Sequence, residues 1–274
     1  MGVRLITGDA RERLAELPAD SFDCCVTSPP FFRQRDYCDP RQMGREPTVA
    51  AFAEALASTL EGVRRVLRPD GSLWLQLGDT YAASGNGGGG SLVAKRRQWT
   101  GAHERKGFRR PDVGYKHKDI TLAPFAVANA CREAGWYLRS VIVWDKMVAT
   151  EPPRLDRPST AHEYIFLLAK SKRCQVRDPG EAWFRSTVWT VRPGGNDIDH
   201  PALMAPEVVR RCIVAGSRHG GAVLDPFGGA GTTGMVADRL GRHCTLIELN
   251  PEYAAIAERR LHGDAGMFAD VEAA

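Results

Sequence analysis

Two short motifs carry residue types suited to chemistry on an amine. The first is Val26-Thr27-Ser28-Pro29-Pro30-Phe31-Phe32. Consecutive prolines fix φ and remove backbone donors, so the carbonyls there are free to accept. The Ser28 hydroxyl and the Pro29 carbonyl can together hold the two hydrogens of an amino group, and Phe31 offers an aromatic face to a flipped base. The chemistry needs this arrangement. A nucleobase amine is a poor nucleophile because its lone pair is delocalised into the ring. Two acceptors on its hydrogens favour a tetrahedral nitrogen with a localised pair, which can attack a sulfonium methyl in line. Positioning and electrostatics do this work without a covalent enzyme intermediate.

The second motif is Val223-Leu224-Asp225-Pro226-Phe227-Gly228-Gly229-Ala230-Gly231-Thr232-Thr233-Gly234. Its glycines allow a sharp turn and a close approach of backbone to a ligand. Twenty-three residues after Asp225 stands Glu248, a carboxylate suited to ribose hydroxyls. The pattern differs from a dinucleotide fingerprint, since Asp225 would repel a pyrophosphate. No Lys follows the glycines as in a phosphate-binding loop. An acidic residue there suits a ligand with a positive amino group, such as the methionine part of S-adenosylmethionine.

These motifs need strands and helices to hold them. Apolar runs predict strands at 4–7, 22–27, 72–77, 137–144, 163–169, 222–224 and 243–247. Helical spacing predicts helices over 48–67, 120–134 (with Gly135 as C-cap), 205–215 and 252–261, and a helix start at Gly8-Asp9-Ala10. Pro69-Asp70-Gly71 reads as a turn, 171–202 as irregular, and the tail after Gly263 as frayed. Both motifs follow directly on predicted strands. Strands alternating with helices imply one α/β domain over 1–274, with a doubly wound, mostly parallel sheet of seven strands.

Charge is unevenly spread. The chain carries a net +4, yet nine Lys and Arg between Lys95 and Lys118 face only Glu104 and Asp112, so this segment holds +7 and the remainder about −3. Residues 80–118 therefore read as a glycine-rich, basic insertion, in which Lys95, Arg96, Arg97, Arg105, Lys106, Arg109 and Arg110 are candidate phosphate contacts. Seven cysteines without a Cys-x-x-Cys pair read as buried reduced thiols. The scattered histidines predict no metal. No signal peptide or membrane-spanning run is read, so a cytoplasmic location is expected.

With both motifs in this order, the chain resembles the DNA amino-methyltransferases, cytosine-N4 and adenine-N6, whose motifs follow the permuted beta order. The resemblance runs over residues 3–262. It also takes in Gly8-Asp9, Leu67-Arg68-Pro69-Asp70-Gly71-Ser72-Leu73, Trp144-Asp145-Lys146, His162-Glu163-Tyr164, His200-Pro201-Ala202 and Ile247-Glu248-Leu249-Asn250-Pro251. It implies a Rossmann-like methyltransferase sheet and S-adenosylmethionine as cofactor. Ser28, Pro29, Pro30 and Phe31 would hold the target base. Asp225, Pro226, Phe227, Gly228, Gly229, Gly231, Thr232, Thr233 and Asn250 would surround the cofactor, with Glu248 at its ribose, Asp9 near its adenine, and His200 and Pro201 closing over its methionine end. The implied partners are double-stranded DNA, a separate cognate restriction endonuclease and a second copy of the chain.

The chain departs from the family pattern in three places. Ser28 opens the catalytic motif where adenine enzymes usually have Asp, which favours cytosine N4 over adenine N6. Phe31 stands where Tyr is more frequent. The usual recognition segment, here 171–200, is short, so the basic insertion would share its work. A carbon-5 cytosine enzyme is disfavoured, because no Pro-Cys dipeptide supplies a thiol nucleophile. A catalytically silent DNA-binding protein remains the alternative of another class.

Overall fold

The computed structural model describes residues 2–35, 37, 39–82, 114–116, 118–149, 156–193, 204–265 and 270–273. The first half of the chain supplies β1 (Gly2–Thr7), α1 (Ala10–Glu16), β2 (Phe22–Thr27), α2 (Val49–Val66) and β3 (Leu67–Leu77). Next come α3 (Ala123–Glu133), β4 (Tyr137–Asp145), β5 (His162–Ala169) and the short β6 (Val188–Thr190). The last part holds α4 (Pro206–Gly216), β7 (Ala222–Asp225), α5 (Thr232–Arg239), β8 (His243–Glu248), α6 (Pro251–Ala265) and β9 (Asp270–Ala273).

The strands form one sheet in the order β6-β4-β5-β3-β2-β7-β8-β1-β9. Only β5 runs against the others, pairing antiparallel with β3 and β4. Period-2 alternation sends side chains to two cores. Cys25, Leu73, Leu75, Leu224 and Ile247 pack with α1, α2 and α3, while Cys24, Val26, Trp74, Val223 and Leu246 pack with α4, α5 and α6. Burial on both faces explains why these strands read as continuous apolar runs.

Local chemistry sets the element ends. The Thr48 hydroxyl accepts from Ala51 N at 3.1 Å and starts α2. α3 begins at Ala123, not at Ile120. Ile120 bridges Tyr81, Thr121 N donates to Thr80 O, and Leu122 is left-handed at φ 52°, so the chain turns before Pro124 can start the helix. Gly135 ends that helix at φ 96°, as its sequence position predicted.

All seven predicted strands are present, and two short ones were missed. β6 has three residues, too few to show a period. β9 lies in the tail predicted to fray. It pairs with the outer edge of β1, whose backbone donors and acceptors would otherwise lack partners. The predicted turn at Pro69-Asp70-Gly71 is absorbed into β3, which starts at Leu67 and pairs with Phe22 before an irregularity in register. Five of the cysteines are buried and free, with Cys174 half-buried; Cys38 lies outside the described residues. Among the described residues, no helix is long and apolar enough to cross a membrane.

Candidate active site

β2 and β7 are neighbours at the centre of the sheet, with Cys24 opposite Val223 and Cys25 opposite Leu224. From β2 the chain crosses to β3 on one side; from β7 it crosses to β8 on the other. Such a reversal leaves a crevice beyond the carboxyl ends of the two strands, because their following helices lie on opposite faces. Both motifs open into that crevice, so the two strand ends that the chemistry needs do meet.

A direct bond ties them. Thr27 is fully buried, and its Oγ1 donates to Asp225 Oδ1 at 2.6 Å. Phe227 N donates to the same oxygen at 3.1 Å, and Thr233 Oγ1 donates to Oδ2 at 2.6 Å. Burial pushes the Asp225 carboxyl above its usual range, and the three donors pull it down. A carboxylate has about four acceptor sites. Three are used inside the protein, so Asp225 first clamps its own turn and keeps about one site for a ligand.

The glycine-rich turn has equally specific causes. Gly231 sits at φ 80° immediately before α5, and a Cβ there would lie 3.1 Å from Ala257 Cβ on α6. Gly228 N donates to Ile247 O, which pins the turn to β8. Arg260 of α6 donates to the Ala230 carbonyl. Glu248, at the end of β8, accepts from Gly229 N at 2.8 Å and from Asn250 N at 2.9 Å. Burial raises its carboxyl. Two of its acceptor sites remain for a ligand. Asn250 holds two further neighbours, through Nδ2 to Tyr37 O and through Oδ1, which accepts from Glu252 N at the start of α6. Asp9 caps α1 by accepting from Arg11 N, and the Arg11 guanidinium holds its carboxyl below the usual range.

On the other strand end, Ser28 is half-buried and Pro29 buried. Among the described residues, neither the Ser28 hydroxyl nor the Pro29 carbonyl makes a hydrogen bond. The Phe31 ring rests on Gly78, where a Cβ would come within 2.7 Å of Cε2. Gly44, at φ 90°, passes under the Phe31 carbonyl, which a Cβ would approach to 2.9 Å. Two glycines outside either motif therefore hold the aromatic residue in place.

One open cleft of about 1130 Å³, mouth included, joins the two motifs. Ser28, Pro29, Pro30 and Phe31 line it together with Asp9, Asp225, Pro226, Phe227, Gly228, Gly229, Thr232, Thr233, Glu248 and Asn250. Gly231 shapes the turn without lining the cleft. The loop after β2 adds Arg35, Tyr37, Gln42 and Met43, and Met204 and Tyr253 complete the wall. These were missed: an aperiodic polar loop gives no sign of which side chains turn inward, and neither Met204 nor Tyr253 belongs to a motif. The Tyr37 and Tyr253 rings meet edge to face at 6.0 Å, and burial pushes the Tyr37 hydroxyl up to about 12. His200 and Pro201 lie outside the described residues, as do Lys95, Arg96, Arg97, Arg105, Lys106, Arg109 and Arg110.

Comparison with known proteins points to one family. A family model described as DNA methylase, of the N6/N4 methyltransferase type, matches residues 22–259. The Type II methyltransferase M.SmaI of Serratia marcescens is 38% identical over 274 residues, covering 94% of this chain and 90% of that protein. TTHA0409 of Thermus thermophilus, solved in complex with S-adenosyl-L-methionine, superposes with a TM-score of 0.68 at 28% identity, over 99% of both chains. The cytosine-N4-specific PvuII DNA methyltransferase shares the fold, with a TM-score of 0.70 at 20% identity over 95% of this chain and 86% of that one.

Proposed function

The chain belongs to the N6/N4 DNA methylase family, and on that premise we propose that it methylates the exocyclic N4 amino group of a cytosine flipped out of double-stranded DNA, using S-adenosyl-L-methionine. The observation that carries this reading is the Thr27–Asp225 hydrogen bond, which locks the base-holding strand end to the cofactor-holding one across a shared cleft.

The cleft residues fit the cofactor. Glu248 keeps two acceptor sites for a ribose diol, and Asp225 keeps one for an ammonium group. Gly228 and Gly231 leave no side chain between the turn and its neighbours. TTHA0409, solved with this molecule bound, supports the assignment. When bound, S-adenosylmethionine supplies an electrophilic methyl group on a positively charged sulfur.

The chain's own groups prepare the nucleophile. Ser28 Oγ and the Pro29 carbonyl, both without partners among the described residues, accept the two amino hydrogens and free the nitrogen lone pair. Phe31, braced by Gly78, stacks on the base. The nitrogen gains a carbon–nitrogen bond, the methyl–sulfur bond breaks toward sulfur, and the nitrogen sheds its extra proton to water. Ser28, in place of a carboxylate, favours cytosine. The whole chain acts as one unit, with the basic 80–118 segment on the phosphates and 171–200 toward the bases. A separate restriction endonuclease is the natural partner of such an activity.

Incubation with unmethylated DNA and labelled cofactor, followed by nucleoside mass spectrometry, tests the reading. N4-methylcytosine is the expected product. N6-methyladenine would overturn the choice of base, and no methylated nucleoside would overturn the activity.

A further inference from the structure

A second polar cluster lies beside the target-holding motif, and neither motif includes it. Gln76 is the next-to-last residue of β3 and is 3% exposed. Its Nε2 donates to Glu163 Oε2 at the start of β5. The other Glu163 oxygen receives Lys146 Nζ, which follows β4 and lies 4.9 Å over the Trp144 ring. Gln76 Oε1 is buried and has no partner among the described residues.

Placement ties this cluster to the base site. The parallel register pairs Val26 with Trp74 and Thr27 with Leu75, so its continuation sets Ser28 beside Gln76. Carried one residue past the end of β2, alternation would put both side chains on the face that Val26 and Trp74 share. A Cβ at Gly78 would lie 2.7 Å from the Phe31 ring and 3.3 Å from Glu163 Cγ, so Glu163 flanks that ring.

Hydrogen-bond chemistry fixes the amide. Lysine ammonium only donates and an ionised carboxylate only accepts. Glu163, held by Lys146, therefore compels Gln76 to turn its NH₂ toward β5. Its carbonyl is left without a partner, and β2 is the strand on the other side of β3 from β5. A buried acceptor without a partner is costly, and a donor arriving with a ligand would relieve it.

We propose that Gln76 Oε1 is a further acceptor for the exocyclic amino group of the target base, with Glu163 and Lys146 as positioning residues that set its amide. This rests on the proposed function and adds a residue to the same site. The amine has two hydrogens, so Gln76 Oε1 shares the one on its side with Ser28 Oγ in a three-centre bond while the Pro29 carbonyl takes the other. The site then selects a base that carries an amine.

The test begins by sequencing DNA treated with the enzyme to map the modified position. Duplexes then carry either cytosine or 2-pyrimidinone, its amine-free analogue, at that position. The unaltered enzyme should bind the cytosine duplex roughly tenfold more tightly, the value of one good hydrogen bond. Gln76→Met should cut that preference by roughly threefold, leaving the part that Ser28 and Pro29 hold, and lower kcat by roughly 10- to 100-fold, with cofactor affinity unchanged.

Glu163→Gln should act the same way with Gln76 intact. Lys146 would take the new carbonyl, the new NH₂ would face Gln76, and Gln76 would rotate and turn a donor toward the amine. Should Gln76→Met lose cofactor binding through misfolding, Glu163→Gln decides. Unaltered kcat and preference in a folded variant would overturn the proposal while the methyltransferase reading stands. If the product is N6-methyladenine, adenine and purine replace the two bases. An enzyme that methylates nothing would overturn the function and this proposal with it.

Discussion

Replacing Thr27 by Val removes one hydroxyl from the seam between the two motifs and little else. The position is fully buried, and Val keeps the branched shape. What is lost is the 2.6 Å bond to Asp225 Oδ1, one of three donors on a carboxylate that is 4% exposed. A hydrogen bond to a charged group contributes about 1.5–3 kcal/mol, so Thr27→Val should lower unfolding stability by about 2 kcal/mol and the melting temperature by about 4–8 °C.

The deficit should depend on pH, with a definite sign. Burial already raises the Asp225 carboxyl, and the Thr27 hydroxyl is one of the groups lowering it. Without Thr27 the folded carboxyl rises further. A group with a raised folded pKa contributes stability that is present in acid and lost as pH climbs through that folded value. The variant's deficit should therefore be full at about pH 8 and smaller at about pH 5. Urea denaturation at both values measures it. Against an Asp225→Asn background the loss should shrink by about 1 kcal/mol, the charge-assisted part of the bond. A deficit below about 0.5 kcal/mol, or one equal at the two pH values, would refute the seam as an energetic link.

Three further outcomes follow, two from this geometry and the third from the charge of the sequence. Ser28→Ala should reduce turnover by roughly 100-fold at unchanged cofactor affinity, read by single-turnover methyl transfer and calorimetry; full activity would remove Ser28 as an acceptor. Gly231→Ala forces a side chain into φ 80° and against Ala257, so it should cost about 1–2 kcal/mol and weaken cofactor binding, checked by thermal melts with and without the cofactor. Replacing Arg96, Arg97, Arg109 and Arg110 by Ala should make the slope of log affinity against log salt shallower by about 3–4; an unchanged slope would take these residues off the phosphates.

The strands that aim the chemistry were legible because both faces of the sheet are covered, which writes each strand as an apolar run ended by Ser-Pro-Pro or Asp-Pro-Phe-Gly. Ser28 and Asp225 could be placed at strand ends on that basis alone. That these two strands are neighbours was not legible, since 198 residues separate Thr27 from Asp225 and no local pattern reports a long-range pairing. Thr27 stands at the end of the predicted strand 22–27 with no local sign of its partner. Gln76 is one polar residue in the predicted strand 72–77, and only the arrival of β5 beside β3 shows what its amide faces. The start of α3 was misplaced because Ile120 and Leu122 fit a helical period, while the hydrogen bonds of Thr121 and the left-handed Leu122 overrode it.

The pairing of β9 with β1 has a topological consequence. Gly2 lies opposite Asp270 and Leu5 opposite Ala273, so the two ends of the described chain are separated by roughly 10 Å, a gap that a few glycines bridge. A circularly permuted protein, joined there and opened between β6 and α4, would run its cofactor half before its base-holding half. It would rebuild the same central contact, because β2 and β7 meet side by side whichever is translated first.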